Sequence, residues 1–252
     1  MSNIRVVVAG ATGKTGSAIT RALIAADGIE VVGAVARGRV SSDLGEVLGL
    51  GPVGVAISDD LAGTLEETKA DVLVDFTNPQ AAPGHTLTAL ELGVRAVVGT
   101  TGMGPSDLEA IRAAAESRDL AAMIIPNFCL GALLLFRMAK EAARIFHQAE
   151  IIEMHHATKV DAPSGTALRL GEAIASQWDG RPVPTHSVRL PGLVAHHAVI
   201  FGGDGETVTL RHDTVSRDAF GPGVVLAVRR VHQFRGLITD LEAVFADQEP
   251  AV

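Results

Sequence analysis

Ile4-Arg5-Val6-Val7-Val8-Ala9-Gly10-Ala11-Thr12-Gly13-Lys14-Thr15-Gly16 opens the chain with a β-branched run that breaks into a glycine-rich turn. Residues 4–9 read as a short strand buried on both faces, the habit of parallel sheets. From Lys14 to Ala26 the apolar residues Ile19, Leu23 and Ile24 fall on one helical face. The glycines between them permit a tight turn and let backbone amides approach a phosphate at a helix N-terminus. The spacing is G-x-x-G-x-x-G rather than the commoner G-x-G-x-x-G. Placed between a first strand and a first helix, it predicts a dinucleotide-binding turn; an ordinary strand-to-helix turn is the plainer alternative. Gly13-Lys14-Thr15 also resembles the end of a triphosphatase loop, but that motif needs a glycine where Val8 stands, inside the strand. The triphosphatase reading is excluded.

Working outward, the same rhythm repeats. Glu30 to Ala36, Asp71 to Phe76, Arg95 to Gly99 and Ala121 to Ile125 read as strands, with helical stretches around residues 81–92 and 106–118. Strands alternating with helices predict an α/β unit with a doubly wound parallel sheet and right-handed crossovers. Ligands gather at the carboxyl ends of such strands. Phe76-Thr77-Asn78-Pro79, Gly99-Thr100-Thr101-Gly102 and Pro126-Asn127-Phe128 should therefore share one crevice with the first turn. After Pro126-Asn127 the rhythm changes. Gly131 to His147 reads as a long helix, Ala149 to Met154 as a strand, and Ser164 to Trp178 as another helix. Ala195 to Gly202 and Glu206 to Asp213 read as an antiparallel pair joined at Gly202-Gly203-Asp204-Gly205. These predict a second, α+β domain with a mixed or antiparallel sheet. The tail beyond Asp247 is expected to fray.

Composition narrows the function classes. In 252 residues, 47% are hydrophobic and 20% charged, and the net charge is -8 with the two signs interspersed. A nucleic-acid binder needs a clustered basic surface, so that class is excluded. The single cysteine, Cys129, rules out an internal disulfide and suits a reducing compartment. The N-terminus runs straight into a strand, so no signal peptide is expected, and the longest apolar stretch, Leu130 to Phe136, is far short of the ~20 residues of a membrane-spanning helix. A cytoplasmic enzyme is the default expectation.

The segment richest in chemistry is Glu153-Met154-His155-His156-Ala157-Thr158-Lys159-Val160-Asp161-Ala162-Pro163-Ser164-Gly165-Thr166-Ala167. A strand delivers two histidines and a lysine, and a helix starts at Ser164. Ser164, Gly165 and Thr166 would offer amides and hydroxyls to a carboxylate at the helix N-terminus. Lys159 would set a fixed charge near a titratable acid, His155. The plainer alternative is a packing or surface histidine pair followed by a good helix start. No spaced metal-ligand set is seen, and His196-His197 reads as strand surface.

His-His-x-x-Lys-x-Asp-Ala-Pro-Ser-Gly-Thr-Ala resembles the signature of the 4-hydroxy-tetrahydrodipicolinate reductases, also called dihydrodipicolinate reductases. Gly10 to Gly16, Asp75-Phe76-Thr77, Gly99 to Gly102 and Asn127-Phe128 resemble that family's other motifs in the same order, and residues 186–196 and Arg211-His212-Asp213 its later strands. The resemblance implies a Rossmann-like domain of residues 1–128 and 219–252, and a substrate-binding and tetramerisation domain of residues 129–218. It implies reduction of 4-hydroxy-tetrahydrodipicolinate by NADPH or NADH with loss of water, in lysine and diaminopimelate biosynthesis, by a homotetramer. By the same resemblance His155 would be the proton donor and Lys159 its helper. His156, Gly165 and Thr166 would contact substrate. Gly10, Ala11, Thr12, Gly13, Lys14 and Thr15, with Gly99, Thr100, Thr101, Ile125, Pro126, Asn127 and Phe128, would line the dinucleotide.

The residues themselves speak to cofactor choice. The second strand ends at Arg37-Gly38-Arg39, with no acid before Asp43 to accept ribose hydroxyls. Arg37 offers a planar, permanently charged fork suited to the extra phosphate of NADPH. Two rivals stay open. Pro126-Asn127-Phe128-Cys129 superficially resembles the cysteine motif of phosphorylating semialdehyde dehydrogenases. A non-catalytic NAD(P) redox sensor is the other; active short-chain dehydrogenases use a tyrosine, and this chain has none.

Overall fold

The computed structural model describes residues 3–245; the expected fraying beyond Asp247 lies outside them. These residues divide into two units: one runs to Phe128 and resumes at Phe220, and the other is Cys129–Ala219.

In the first unit, β1 (Ile4–Ala9) is buried from Val6 to Ala9, which is why its β-branched run is continuous rather than alternating. It is followed by α1 (Gly16–Ile24), β2 (Ile29–Val35), α2 (Leu44–Leu48), β3 (Ile57–Ser58), α3 (Leu61–Thr68), β4 (Val72–Asp75), α4 (Ala82–Glu91), β5 (Arg95–Val98), α5 (Pro105–Ser117) and β6 (Ala121–Ile124). Later, α8 (Gly221–Arg230), β11 (Gly236–Ile238) and α9 (Leu241–Phe245) complete the unit. All seven strands are parallel, in the order β11-β6-β5-β4-β1-β2-β3. The chain winds outward from β1 through β2 to β3, then returns to the other side of β1 at β4. That reversal is a topological switch point, where a crevice opens at the carboxyl ends of the strands. The doubly wound parallel sheet is the expected one. The sequence reading missed α2, β3 and α3. β3 has only two residues, and α3 is a helix of about two turns whose start is fixed by Asp60 accepting from Gly63 N at 3.1 Å.

The second unit holds α6 (Leu130–Ala143), β7 (Ala149–His155), α7 (Gly165–Ala175), β8 (Thr185–Arg189), β9 (Ala195–Gly203) and β10 (Glu206–Thr214). Its sheet runs β10-β9-β7-β8. β9 is antiparallel to both neighbours, while α7 carries the chain across so that β8 lies parallel to β7. The sheet is therefore mixed, as expected. Alternate residues of a strand face one side, and here Ala149, Ile151, Val199 and Phe201 turn toward Leu135, Ala139, Leu170 and Ile174 of the two helices. Truncating a fully buried side chain such as Phe201 would cost about 3–5 kcal/mol. Helix α6 stops at Ala143 rather than His147. The Trp178 indole N–H donates to Ala143 O at 2.8 Å and Phe146 O at 3.0 Å, taking carbonyls that a further turn would have used.

Candidate active site

The first turn of the first unit is shaped by what its glycines lack. Gly10 sits at φ +78°, and a Cβ on Gly16 would lie 1.9 Å from Gly10 O. Only glycine lets the turn close this tightly against the start of α1. That helix has no side-chain cap at Thr15 and no acidic residue in its first turn, so its N-terminal amides and dipole remain available to an anion. Thr15 joins Phe76, Thr77, Asn78, Pro79, Gly99, Thr100, Thr101, Pro126, Phe128 and Phe220 around one cavity of about 360 Å³. The turns after β1, β4, β5 and β6 thus meet where the strand topology expects them. Gly13 and Lys14 are exposed beside it, and Asn127 is half-buried. Ala11 is buried, and Thr12 is half-buried. Ile125 is spent on structure: it is buried, and its N–H extends the sheet to Val98 O at 2.9 Å. Arg37 is exposed just past β2, with Arg39 beyond it in a left-handed conformation at φ 63°. Phe220 gave no signal in the sequence; it arrives from the returning C-terminal segment.

A backbone cradle that a Cβ would fill, an uncapped helix start and a cavity at the switch point together fit a dinucleotide.

In the second unit the chemistry gathers on β7. Glu153 and His155 are two residues apart, so they continue the inward face of Ile151. Both are buried. Arg189 comes from β8, in register with His155, and forks onto the Glu153 carboxylate at 2.7 and 3.1 Å. Burial pushes the Glu153 carboxyl up, but the Arg189 guanidinium, Ser187 and His155 outweigh it and hold it below the usual carboxylate value. Glu153 is thus ionised, and His155 Nδ1 donates to its Oε2. Burial lowers the proton affinity of His155; Glu153 raises it, Lys159 and Arg189 lower it, and the balance lies below an ordinary imidazole. With Nδ1 engaged, Nε2 is the nitrogen left to exchange a proton.

His196 and His197 correct the expectation of strand surface. They are 9% and 3% exposed; His197 alternates with the core residues Val199 and Phe201, on the face that α6 and α7 cover. His196 Nδ1 pairs with Asp213 at 2.7 Å. His197 lies edge-on to His155 with ring centroids 5.3 Å apart. Burial, reinforced by the charge of His155, pushes it down to about 4, so it is neutral near pH 7. Its Nε2 meets Ser164 Oγ at 3.2 Å. That hydroxyl also caps α7 by accepting from Ala167 N at 3.2 Å. Ser164 is therefore a buried link between His197 and the helix start. Gly165 and Thr166, the first two residues of α7, are left with amides the helix does not use, and no acid stands in its first turn. Lys159 Nζ meets both Asp161 oxygens at 2.7 Å, while His156 is exposed, its Nδ1 2.8 Å from Thr158 Oγ1. Glu153, Arg189 and Asp161 carry no assigned role in the sequence reading, and His197 is expected there only as strand surface. Period-two spacing from His155 could have found Glu153.

Cys129 is buried, and burial raises its thiol above the ordinary value, with Thr214 Oγ1 at 3.7 Å. A thiol so placed resists forming the thiolate that a cysteine nucleophile needs. Among the described residues, no three His, Cys, Asp or Glu side chains converge as metal ligands.

Comparison with known proteins covers both units. Residues 4–128 match the model of the dihydrodipicolinate reductase N-terminus, and residues 131–245 that of the dihydrodipicolinate reductase C-terminus. The 4-hydroxy-tetrahydrodipicolinate reductase of Moorella thermoacetica is 45% identical, over 96% of this chain and 98% of its own. That of Desulfitobacterium hafniense is 42% identical, over 96% and 98%. Among solved structures, a dipicolinate-bound dihydrodipicolinate reductase from Paenisporosarcina sp. TG-14 superposes with a TM-score of 0.82 at 34% identity, over 96% of this chain and 99% of that one.

Proposed function

This chain belongs to the dihydrodipicolinate reductase family, and from that premise we propose how its residues carry the reaction. It is an NAD(P)H-dependent reductase that converts 4-hydroxy-tetrahydrodipicolinate to tetrahydrodipicolinate with loss of water, in lysine and diaminopimelate biosynthesis. The observation that carries the assignment of roles is the buried His155, whose Nδ1 is held by a Glu153 that Arg189 keeps ionised.

The nicotinamide, when bound, supplies the hydride. His155 delivers the balancing proton from Nε2. Its proton affinity in the free protein is low, and a dicarboxylate settling nearby raises it, since an adjacent anion favours the charged ring. Lys159 and the amides of Gly165 and Thr166 hold the substrate's carboxylates by charge-assisted bonds. Asp161 occupies Lys159 until then. It is 62% exposed on its side chain, and so open an ion pair contributes only about 0–1 kcal/mol. A substrate carboxylate displaces it at little cost. His156 contacts substrate from the exposed side of the same segment, and Ser164 keeps the helix start in place. The ligand named for the Paenisporosarcina protein, dipicolinate, has the planar dicarboxylate character this set of donors suits.

The first unit takes the cofactor through the turn Gly10 to Thr15, Gly99 to Thr101 and Pro126 to Phe128. Arg37 is assigned to the 2′-phosphate, which makes NADPH the preferred reductant. The second unit binds substrate and assembles a homotetramer through the sheet face opposite α6 and α7. The half-buried Ile152, Met154 and Ile200 support that reading. The enzyme is cytoplasmic in this account.

His155→Ala tests the assignment. It should lower kcat by roughly 10²–10⁴-fold, the usual worth of a positioned acid. Lys159→Ala should depress kcat/KM on a similar scale by removing charge stabilisation. Near wild-type turnover in His155→Ala would move the acid elsewhere.

A further inference from the structure

The Asp75-Phe76-Thr77 motif has no part in the chemistry above, yet it carries the most heavily bonded buried carboxylate of the first unit. Asp75 ends β4 and is 0% exposed. Three donors converge on its Oδ1: Thr77 N at 3.0 Å, Thr77 Oγ1 at 2.7 Å and Thr100 Oγ1 at 2.9 Å. His85 Nδ1, from α4, holds the other oxygen at 2.7 Å. Thr100 Oγ1 also accepts from Thr77 N at 3.0 Å, so its hydroxyl is spent inward on both its proton and a lone pair. The backbone of β4 is tied to the next turn as well, with Gly99 N donating to Asp75 O at 2.9 Å. The two turns fastened in this way, residues 76–79 and 99–101, form most of the wall of the cavity beside Thr15.

A buried carboxylate is costly unless it is fully hydrogen-bonded, and here one oxygen is satisfied by Thr77 and Thr100, which line the cavity, and the other by His85 behind it. We propose that Asp75 is the positioning residue of the dinucleotide site. Its carboxylate, anchored on α4 by His85, clamps Thr77 and Thr100 so that the turns after β4 and β5 present their backbones to the cofactor in one fixed arrangement. Thr100 thus serves the cofactor through its main chain, while its side chain is a strut. The proposal rests on the reading of that cavity as the cofactor site.

The test is a fluorescence titration of the purified full-length protein with NADPH and with NADH, alongside unfolding temperatures and separate KM values for cofactor and substrate. Asp75→Ala should raise the cofactor Kd roughly 10- to 100-fold, the scale on which small misplacements of a site are felt. The substrate KM should stay near wild type. Asp75→Asn should recover most of the affinity, because one amide oxygen can still accept all three threonine donors. Thr100→Val, close in volume, removes a single strut. It should raise Kd by about 2- to 10-fold, less than Asp75→Ala because Thr77 keeps its own bonds to the carboxylate, and it keeps the test alive if Asp75→Ala does not fold. A merely structural role would lower the unfolding temperature without separating the two KM values. Unchanged cofactor Kd in folded Asp75→Ala and Thr100→Val would overturn the proposal, as would an Asp75→Asn no better than Asp75→Ala. Absence of cofactor binding in the wild type would instead refute the reading of the cavity on which it rests.

Discussion

Replacing Glu153 with glutamine exchanges one oxygen for an amide and removes one charge from the interior of the second unit. In the wild type that carboxylate is 0% exposed, takes two guanidinium N–H groups from Arg189 and accepts from His155 Nδ1. Its effect on His155 is to raise proton affinity against burial, Lys159 and Arg189. A proton donor works only while protonated, so kcat/KM should fall as pH rises through the His155 value. Without the carboxylate that falling limb moves to lower pH. A hydrogen bond to a charged group is worth about 1.5–3 kcal/mol. Losing one should therefore lower kcat/KM at neutral pH roughly 10- to 150-fold. Breaking a fully buried ion pair costs about 3–5 kcal/mol in stability. Here the loss should be smaller, because Arg189 also donates to Asp161 O at 2.7 Å and glutamine still offers it an oxygen. The assay is kcat and kcat/KM against pH for wild type and Glu153→Gln, with cofactor affinity as the control, since the cofactor unit is untouched. If the variant keeps the wild-type limb and a kcat/KM within twofold, Glu153 does not tune His155 and the reasoning fails.

Arg37 should show itself in cofactor choice. Wild type should have a KM for NADPH several-fold below that for NADH, and Arg37→Asp should narrow or invert the ratio by about 10- to 100-fold, the worth of one charged hydrogen bond; an unchanged ratio would place the phosphate elsewhere. The buried His197 should show itself in stability against pH. Its folded value of about 4 lies below the ~6.5 of an unfolded imidazole, so the unfolded chain binds more protons in that window. Stability should be complete above pH ~6.5 and decline as pH falls toward 4, by up to roughly 3 kcal/mol. Denaturant unfolding at several pH values should show a shallower slope in His197→Gln; an equal slope would contradict a neutral buried His197.

The first unit was legible because its signals are local. A β-branched run, a glycine turn and an amphipathic stretch follow one another in Ile4 to Ile24, and the strand order then brings the other turns to the same cavity. The candidate catalytic segment was half legible. His155, Lys159 and the α7 start lie within a dozen residues, so one segment announced them. Their partners do not. Arg189 reaches Glu153 only because α7 folds β8 back alongside β7, and His197 reaches Ser164 from β9, 33 residues further on. Such pairings are products of sheet register, which local pattern does not encode. The burial of His196 and His197 is hidden for the same reason, since it depends on what packs over the two faces of β9. Trp178 shows the reverse case. Its periodicity suggested helix, but the indole N–H found the end of α6.

Substrate-dependent turnover is the most direct test of the assigned reaction. Coupled to the aldolase-type synthase that makes the unstable hydroxy-tetrahydrodipicolinate, the protein should oxidise NADPH or NADH only while that substrate is supplied, with loss of absorbance matching the substrate consumed. Equal oxidation with and without the substrate, or tight cofactor binding with no oxidation at all, would contradict it.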